Sequence, residues 1–363
     1  MKRIVVKVGT HSLCGEDGSP SKEKISKIGY QIAQLMKKNI EVVLVSSGSI
    51  GAGSGILLDG AKPKTLALKQ ACAAAGQPIL MSLYRSFFDF YHIQVAQILM
   101  SPDVINQREN FLNARNTIFT LISKQVLPIV NENDSVSVEE IQFGDNDNLA
   151  INVSALIEAE ACFFLSDIDG FYKNFGTENQ EIIHEVYDIN DEIKNHIKKK
   201  KSGFSTGGME SKLIAAKKAI ELGIKLVILP GNSDDALLNY ILNNDKIGTA
   251  FYSQTKLKSR KQWLYLHFKR EGKIFIDEGA KDALLKNKSL LPVGLEEIQG
   301  KFLRGAIVDV YYKNNLIAKG MSNYASEDLK KIKKQKSENI EKVLGFSYGS
   351  EAIHKNNLIL TIV

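Results

Sequence analysis

Two lysines in this 363-residue chain stand beside glycines in a way that suits phosphate binding. Lys7 lies in an apolar run just before Gly9. A lysine buried there without a partner would cost stability, whereas an ammonium beside glycine N–H groups can bind an anion. Lys212 follows Thr206-Gly207-Gly208-Met209 in the first turn of a predicted helix, where anions are favoured. From this pattern alone, an exposed position on the strand explains Lys7 equally well.

Four further segments carry small or polar residues, and three of them directly follow predicted strands. Ser46–Gly53 can bring its backbone close to an anion, although it has neither the Walker A nor the GxGxxG spacing and could be a simple turn. Asn131–Ser135 and Gly144–Leu149 are rich in Asn and Asp, which also favour turns and helix caps. Ser166–Tyr172 follows another strand. Because the carboxyl ends of parallel strands meet at one sheet edge, these loops predict a shared site.

Together these residues favour phosphoryl transfer without a P-loop. Two lysines and Mg²⁺ would neutralise the transferring group, glycine N–H groups would bind its oxygens, and aspartates would position the lysines. No residue is assigned as a metal ligand. Of the six histidines only His11 lies in one of these loops, so no catalytic base is evident. A carboxylate acceptor needs no base, because it is already ionised at neutral pH.

The elements that position these loops alternate along the chain. Short β-branched runs, each followed by a segment of helical period, predict an α/β fold with a three-layer αβα, open and mostly parallel sheet. The predicted strands are Arg3–Val8, Glu41–Val45, Val95–Met100, Val126–Val130, Ala161–Leu165 and Lys225–Leu229. The predicted helices are Ser21–Lys38, Lys64–Tyr91, Glu109–Lys124 and Ser211–Leu222.

The pattern changes after Thr249, which predicts a second, smaller domain. We expect a catalytic domain over 1–255, a connector over 256–271, a compact β-barrel over 272–345 and a tail over 346–363. The predicted strands of the barrel are Lys273–Asp277, Ala306–Tyr312 and Leu316–Met321, with short helices at Ala280–Lys286 and Ser326–Lys331.

Composition limits the class of protein. The chain is 44% hydrophobic and 24% charged, with a net charge of +6 spread along its length, as in an ordinary globular protein with a nucleotide as partner. Nucleic acid is not expected as the main partner. Neither a signal peptide nor an apolar stretch of membrane-spanning length is evident, so we expect a cytoplasmic protein without membrane contact. The three cysteines fit no zinc or disulfide pattern and are expected to be buried thiols.

The motifs as a set resemble the amino acid kinase family, and the second domain resembles a PUA domain. The motifs that carry the first resemblance are Lys7–Thr10, Ser46–Ile50, Phe111–Arg115, Asn131–Asp134, Phe143–Leu149 and Gly203–Lys212. Those that carry the second are Asp277–Ala280, Ser289–Gly294 and Gly300–Gly305. The pairing of the two domains implies the branch of the family that phosphorylates the side-chain carboxylate of L-glutamate with ATP, giving L-glutamyl 5-phosphate for proline synthesis.

The resemblance also implies roles and partners. Lys7 and Lys212 would contact the ATP phosphates, and Asp147 would hold both lysines. The residues that would bind L-glutamate are Ser47, Asp134 and Asn146. The other residues that would bind ATP are Gly9, Ser166, Asp167, Thr206, Gly207, Gly208, Met209, Glu210 and Ser211. The resemblance further implies Mg²⁺ with ATP, a homo-oligomer (dimer or tetramer) and proline as a possible feedback inhibitor.

Two alternative functions stay open on the sequence alone. One is a kinase of a related small carboxylate such as N-acetylglutamate, which conflicts with the C-terminal barrel. The other is an RNA-binding protein, since PUA-like barrels occur in such proteins. Against the second, basic residues exceed acidic ones only slightly after Gly272, and the aromatic residues form no evident stacking surface.

Overall fold

The computed structural model of the chain describes residues 1–15, 18–101, 108–136, 146–174, 177–189, 206–253 and 270–361. The chain divides into two compact units. The first comprises Met1–Pro102 and Arg115–Arg260, and the second comprises Asp103–Ala114 and Lys261–Val363. Apart from residues 270 and 271, the predicted connector lies outside the described residues. No described helix is both long and apolar enough to cross a lipid bilayer.

Strands and helices are numbered separately in chain order. The strands are β1 (Arg3–Val8), β2 (Glu41–Ser46), β3 (Val95–Met100), β4 (Leu127–Glu132), β5 (Ala161–Ser166), β6 (Phe171–Lys173), β7 (Glu181–Ile183), β8 (Glu185–Val186), β9 (Lys225–Pro230), β10 (Thr249–Phe251), β11 (Arg270–Ile276), β12 (Leu295–Gln299), β13 (Ile307–Tyr312), β14 (Asn315–Met321) and β15 (Leu358–Leu360). The α-helices are α1 (Thr10–Leu13), α2 (Lys22–Lys37), α3 (Ser49–Leu57), α4 (Leu66–Asp89), α5 (Arg108–Ser123), α6 (Asn146–Leu156), α7 (Thr206–Glu221), α8 (Ala236–Leu238), α9 (Glu278–Leu285), α10 (Ser326–Ile332) and α11 (Ile340–Leu344). A π-helix covers Asn239–Asn243, and 3₁₀ turns cover Pro292–Gly294, Ser337–Asn339 and Lys355–Asn357.

The first unit is built on an eight-stranded sheet in the order β3-β4-β2-β1-β5-β9-β10-β8. The six strands from β3 to β9 are parallel to their neighbours, whereas β10 runs antiparallel to β9. The predicted open, mostly parallel sheet is therefore confirmed. Strand β1 lies between β2 and β5, and all three run in the same direction. Their carboxyl ends therefore meet at one edge of the sheet, which is where ligands bind in such sheets.

The sequence explains why these strands lie in the centre. Ile4, Val5 and Val6 of β1 are all fully buried, as expected for a strand covered by helices on both faces. The helices begin at ordinary capping residues: the side chain of Ser21 accepts from Lys24 N at the start of α2, and Thr65 accepts from Leu68 N at the start of α4. Both starts agree with the prediction to within two residues.

One helix start differs from the prediction. The periodicity places the start of the helix that carries Lys212 at Ser211, but α7 begins at Thr206. The additional first turn contains Gly207 and Gly208, and glycine has low helix propensity. The pattern of apolar residues therefore misses this turn, because its glycines contribute no side chains to the period.

The second unit contains a separate five-stranded sheet in the order β12-β11-β13-β14-β15. Strand β11 pairs parallel with β13, and the other pairs are antiparallel. Its core includes Ile274, Val308 and Ala318 from the three predicted strands. Two strands are absent from the prediction. β12 has only two buried residues, too few to show an alternation, and β15 lies within residues 346–363, for which the sequence predicts only a tail.

The three cysteines are free and buried, as predicted. Burial raises the pKa of Cys72. Burial also raises the pKa of Cys162 to about 12, although a hydrogen bond with Ser154 opposes the shift. The protonated thiol is unreactive, so these two residues behave as core side chains.

Candidate active site

Asp147 lies between two ammonium groups at the centre of the site. It stands in the first turn of α6, while Lys7 comes from β1 and Lys212 from α7. Lys7 Nζ lies 2.7 Å from Asp147 Oδ1, and Lys212 Nζ lies 3.5 Å from Asp147 Oδ2. Ser211 Oγ donates to Asp147 Oδ2 at 3.0 Å. Residues far apart in the chain thus hold two positive charges close together.

Burial makes this charge cluster strong. Lys7, Asp147 and Lys212 are each less than 10% exposed. Burial pushes the pKa of Asp147 upward, but attraction to Lys7 and Lys212 and the bond from Ser211 outweigh it, so the pKa lies below its usual value. Asp147 is therefore a carboxylate at neutral pH, and the cluster keeps one net positive charge available for an anion.

A cleft of about 290 Å³ opens on this cluster. Its lining includes the residues that follow β1 and β5, so the cleft lies at the carboxyl ends of these two strands. The lining residues are Lys7, Gly9, Thr10, His11, Ser12, Ser47, Asp147, Phe164, Leu165, Ser166, Asp167, Ser211 and Lys212. Small residues and hydroxyls at the rim, with ammonium groups at the base, form an arrangement that suits a phosphorylated ligand.

A group of side-chain amides adjoins the cleft beside Ser47. Asn146 Nδ2 lies 2.8 Å from Ser47 Oγ, 3.3 Å from the Ser46 carbonyl and 3.1 Å from Asn131 Oδ1. Gly48, with φ of 108°, turns the chain from β2 into α3, in a conformation that residues with side chains rarely adopt. That turn places Ser47 at the cleft with its backbone N–H donating to the Val8 carbonyl.

Asp134 connects to the same amides through a serine. Ser49 Oγ donates to Asp134 Oδ2 at 3.3 Å, and Asn131 Nδ2 lies 3.4 Å from Ser49 Oγ. Burial raises the pKa of Asp134, and the bond from Ser49 opposes that shift. A raised pKa means that the nearby positive charge is too weak to offset the cost of burying this carboxylate. A ligand ammonium can supply that positive charge.

The predicted site residues fall into four groups. Those that line the cleft are Lys7, Gly9, Ser47, Asp147, Ser166, Asp167, Ser211 and Lys212. Asn146 and Asp134 belong to the adjoining polar network. Thr206, Gly207 and Gly208 form the first turn of α7. Met209 is half-buried and Glu210 is exposed, and the described lining includes neither.

Sequence reasoning assigns no role to three residues of the polar network. Ser49 and Asn131 belong to motifs that it singles out, so their position beside a strand end is a usable signal. Gln77 has none, because it lies within α4 and its partner Asn131 is 54 residues away. The predicted strand over Val126–Val130 also stops too early, since β4 includes Asn131 and Glu132 as buried, hydrogen-bonded strand residues.

The donor set does not form a cage for a metal ion. Across the described residues, no group of three or more His, Cys, Asp or Glu side chains could hold one. Asp147 already accepts from Lys7, Lys212 and Ser211. Mg²⁺ usually keeps several waters and is bound through one or two carboxylates plus substrate phosphates, so this donor set fits a metal that arrives with the nucleotide.

Comparison with known proteins follows the same division of the chain. Residues 2–230 match the amino acid kinase family, and residues 272–344 match the PUA domain. The chain is 42% identical over 364 residues to a glutamate 5-kinase of Dictyoglomus thermophilum, covering 99% of this chain and 97% of that protein. It is 43% identical over 368 residues to a glutamate 5-kinase of Carboxydothermus hydrogenoformans, covering 99% and 98%.

A solved structure shares the fold of the first unit. The carbamate kinase from Giardia lamblia bound to AMP-PNP superposes with a TM-score of 0.51. The match covers 70% of this chain and 99% of that one, at 18% sequence identity. At that identity the similarity concerns the arrangement of helices and strands alone.

Proposed function

We infer the reaction from one premise: the chain belongs to the amino acid kinase family and, within it, to the glutamate 5-kinases. It transfers the terminal phosphoryl group of ATP to the side-chain carboxylate of L-glutamate, giving ADP and L-glutamyl 5-phosphate for proline synthesis. The observation that carries this proposal is the pair of buried ammonium groups held by Asp147 at the base of a cleft at the strand ends.

Lys7 and Lys212 stabilise the transferring phosphoryl group. Their positive charges lie in a site largely closed to water, where an ammonium stabilises developing negative charge far more than it does in bulk water. Asp147 fixes their positions before substrate binds, so little reorganisation is needed at the moment of transfer.

The nucleotide lies on the side of the cleft that β1, β5 and α7 form. Gly9 and the Thr206–Lys212 segment offer backbone N–H groups and a helix N-terminus to the phosphates, and Ser166 and Asp167 border the remaining nucleotide. Mg²⁺ accompanies ATP on its phosphates. No step is assigned to the metal, because the described residues provide no cage for it.

Glutamate lies on the other side, with Ser47, Asn146 and Asp134 as its contacts. No general base is required, because the accepting carboxylate is ionised at neutral pH and attacks directly. The side chain of His11 is 81% exposed and lies beside Asp167, and the proposed reaction gives it no role in proton removal.

Several finer proposals accompany this function. The protein acts in the cytoplasm, where its proposed substrates are found. It forms a homo-oligomer, with proline as a feedback inhibitor. The catalytic domain comprises 1–255, in keeping with a cleft whose described lining residues all belong to the first unit.

One assay tests the reaction directly. Purified protein with ATP and Mg²⁺ should release ADP only when L-glutamate is present, and hydroxylamine should trap the acyl phosphate as a hydroxamate. ADP release without hydroxamate would contradict transfer to a carboxylate. Salt-dependent retention of RNA without any kinase activity would favour the alternative function.

Substrate choice provides a second test, which rests on Asp134. Its partly buried carboxylate would pair with the α-ammonium of glutamate. N-acetylation removes that charge, and removing one partner of a buried pair costs about 2–5 kcal/mol, or roughly 30- to several-thousand-fold in specificity. We expect kcat/KM for glutamate to exceed that for N-acetylglutamate by such a factor.

Asp134→Ala should narrow this preference and weaken glutamate binding, with less effect on the KM for ATP. The measurement is kcat/KM for both acceptors in the wild type and the variant. Equal use of both acceptors by the wild type would point to a kinase of N-acetylglutamate. Loss of ATP affinity alone in the variant would place Asp134 on the nucleotide side.

A further inference from the structure

A relay of three side-chain amides runs from α4 to the glutamate side of the cleft. It consists of Gln77, Asn131 and Asn146, three positions brought together from α4, β4 and α6. Asn131 Nδ2 donates to Gln77 Oε1 at 2.9 Å, and Asn146 Nδ2 donates to Asn131 Oδ1 at 3.1 Å. Gln77 is 8% exposed and Asn131 is 2% exposed, so water does not compete for these bonds.

Two backbone groups fix the direction of the relay. The Glu132 N–H donates to Asn131 Oδ1 at 2.9 Å, and the Ser46 carbonyl accepts from Asn146 Nδ2 at 3.3 Å. A backbone N–H can only donate and a carbonyl can only accept, so neither amide can be turned over without losing a bond. Asn131 must therefore present its NH₂ group to Gln77, and Gln77 must present its oxygen.

At the cleft end of the relay, Asn146 has an acceptor atom, Oδ1, to which no described group donates. With its NH₂ group committed to Ser47, Ser46 and Asn131, Asn146 has only Oδ1 left, and that atom is closed to solvent and forms no hydrogen bond within the described part of the chain. A buried acceptor without a partner costs free energy. A ligand that brings an N–H group, and displaces the atoms that cover Oδ1, recovers that free energy. Of the groups on the proposed acceptor substrate, only the α-ammonium offers such a donor.

Asn131 depends on Gln77 to stay in place. Its NH₂ group has one other acceptor among the described residues, Ser49 Oγ, at the long distance of 3.4 Å. Gly76 allows α4 to approach, because a Cβ there would lie 1.9 Å from the Ser49 carbonyl oxygen. If Gln77 offered no oxygen, the NH₂ group of Asn131 would keep only the long bond, and the side chain would be free to rotate away from Asn146.

We propose that Gln77 is a positioning residue for the amino acid substrate: it holds Asn131, which holds Asn146 beside Ser47, and Asn146 Oδ1 accepts from the α-ammonium once the substrate has displaced the atoms that cover it. This inference rests on the proposed function, since it names the part of glutamate that the relay serves. Gln77 does not line the cleft as described, so it acts only through its neighbours.

The experiment replaces Gln77 by methionine, which has a similar length and no acceptor oxygen. In Gln77→Met we expect the KM for L-glutamate to rise about 10- to 100-fold, the range for losing a buried hydrogen bond to a charged group. The KM for ATP should change less than about twofold. Glutarate, which has both carboxylates but no ammonium, should be used as poorly by the variant as by the wild type, so the preference for glutamate over glutarate narrows.

Two variants serve as controls. Gln77→Glu keeps an oxygen at the same position and should retain a KM for glutamate much closer to that of the wild type. Gln31→Met makes the same substitution at another buried glutamine. Gln31 lies on α2, and its side-chain oxygen accepts from Leu237 N at 2.9 Å. It should lower the melting temperature like Gln77→Met but leave the KM for glutamate unchanged.

Each outcome decides between the roles. An unchanged KM for glutamate in folded Gln77→Met, or an equal loss for glutamate and glutarate, would overturn the inference and leave Gln77 a structural residue. If Gln77→Met does not fold, Gln77→Ala is measured instead, with the same expectation. A wild type that phosphorylates no glutamate would contradict the proposed function itself, which is a separate result.

Discussion

Replacing Lys212 by alanine should reduce kcat by about 10²- to 10³-fold while the fold persists, because the variant loses one of two buried charges that face the transferring phosphoryl group. The KM for either substrate should change little, since the interaction strengthens as charge develops in the transition state. Steady-state kinetics and a thermal melt of the variant measure both properties. Lys7→Ala should behave similarly, because Lys7 pairs with the same carboxylate.

Lys217 provides the matched control for this prediction. It lies on the same helix, α7, but its side chain is exposed. Lys217→Ala should therefore leave kcat within about twofold of the wild type, as is usual for a surface substitution far from a site. A folded Lys212→Ala variant with normal turnover would remove Lys212 from the reaction. A rise in KM for ATP at constant kcat would limit it to ground-state binding.

Replacing Asp147 by asparagine should have the largest effect on stability. The substitution leaves two buried ammonium groups without their shared carboxylate, and breaking a buried ion pair from one side costs about 3–5 kcal/mol. We also expect kcat to fall more than the KM for glutamate rises, because the lysines lose their positions. Urea denaturation and steady-state kinetics test the two parts separately.

The pH dependence of unfolding distinguishes this explanation from general damage. The pKa of Asp147 is lowered in the fold, so its stabilising contribution is complete above the ordinary carboxyl value of about 4 and is lost as pH falls through the lowered pKa. The difference in unfolding free energy between the wild type and Asp147→Asn should therefore shrink below about pH 4.

Asp134→Asn provides a comparison in which the expected change of stability with pH has the opposite sign. Burial raises the pKa of Asp134, so the contribution of this residue is most favourable below the ordinary carboxyl value and is lost as pH rises through the raised pKa. The wild type should lose stability relative to Asp134→Asn over that interval. If both variants showed the same pH dependence, the charge environment proposed for Asp147 would be wrong.

Much of this arrangement is predictable because it depends on local pattern. The strands β1 and β3 begin and end at the predicted residues, since each is a short, mostly apolar run between polar or glycine residues. Parallel strands bring their carboxyl ends to one edge of the sheet, so the sequence predicts that Lys7 and Ser47 belong to one site. Lys7 comes from a motif at such a strand end, whereas Asp147 and Lys212 come from motifs that the structure places in α6 and α7.

The rest depends on contacts that no local window contains. Gln77 looks like any buried polar residue of a helix until Asn131 lies beside it. The strand β12 reads Leu-Glu-Glu-Ile-Gln, and two exposed glutamates separate its two buried residues, because its pairing with β11 shifts register between Phe275 and Ile276. In each case the partner, and not the residue itself, determines the role, which is why propensity and period alone could not identify it.

The three buried thiols give the protein its own reporters of motion. Cys14 follows α1, Cys72 lies within α4 and Cys162 lies within β5, so they sample three parts of the first unit. A thiol reagent reaches such groups only when the surrounding structure opens. The alkylation rate at each cysteine therefore reports how often the structure around it opens. Mass spectrometry measures that rate without any change to the sequence. A substrate that stabilises the cleft against opening should lower the alkylation rate of Cys162, which lies four residues before Ser166.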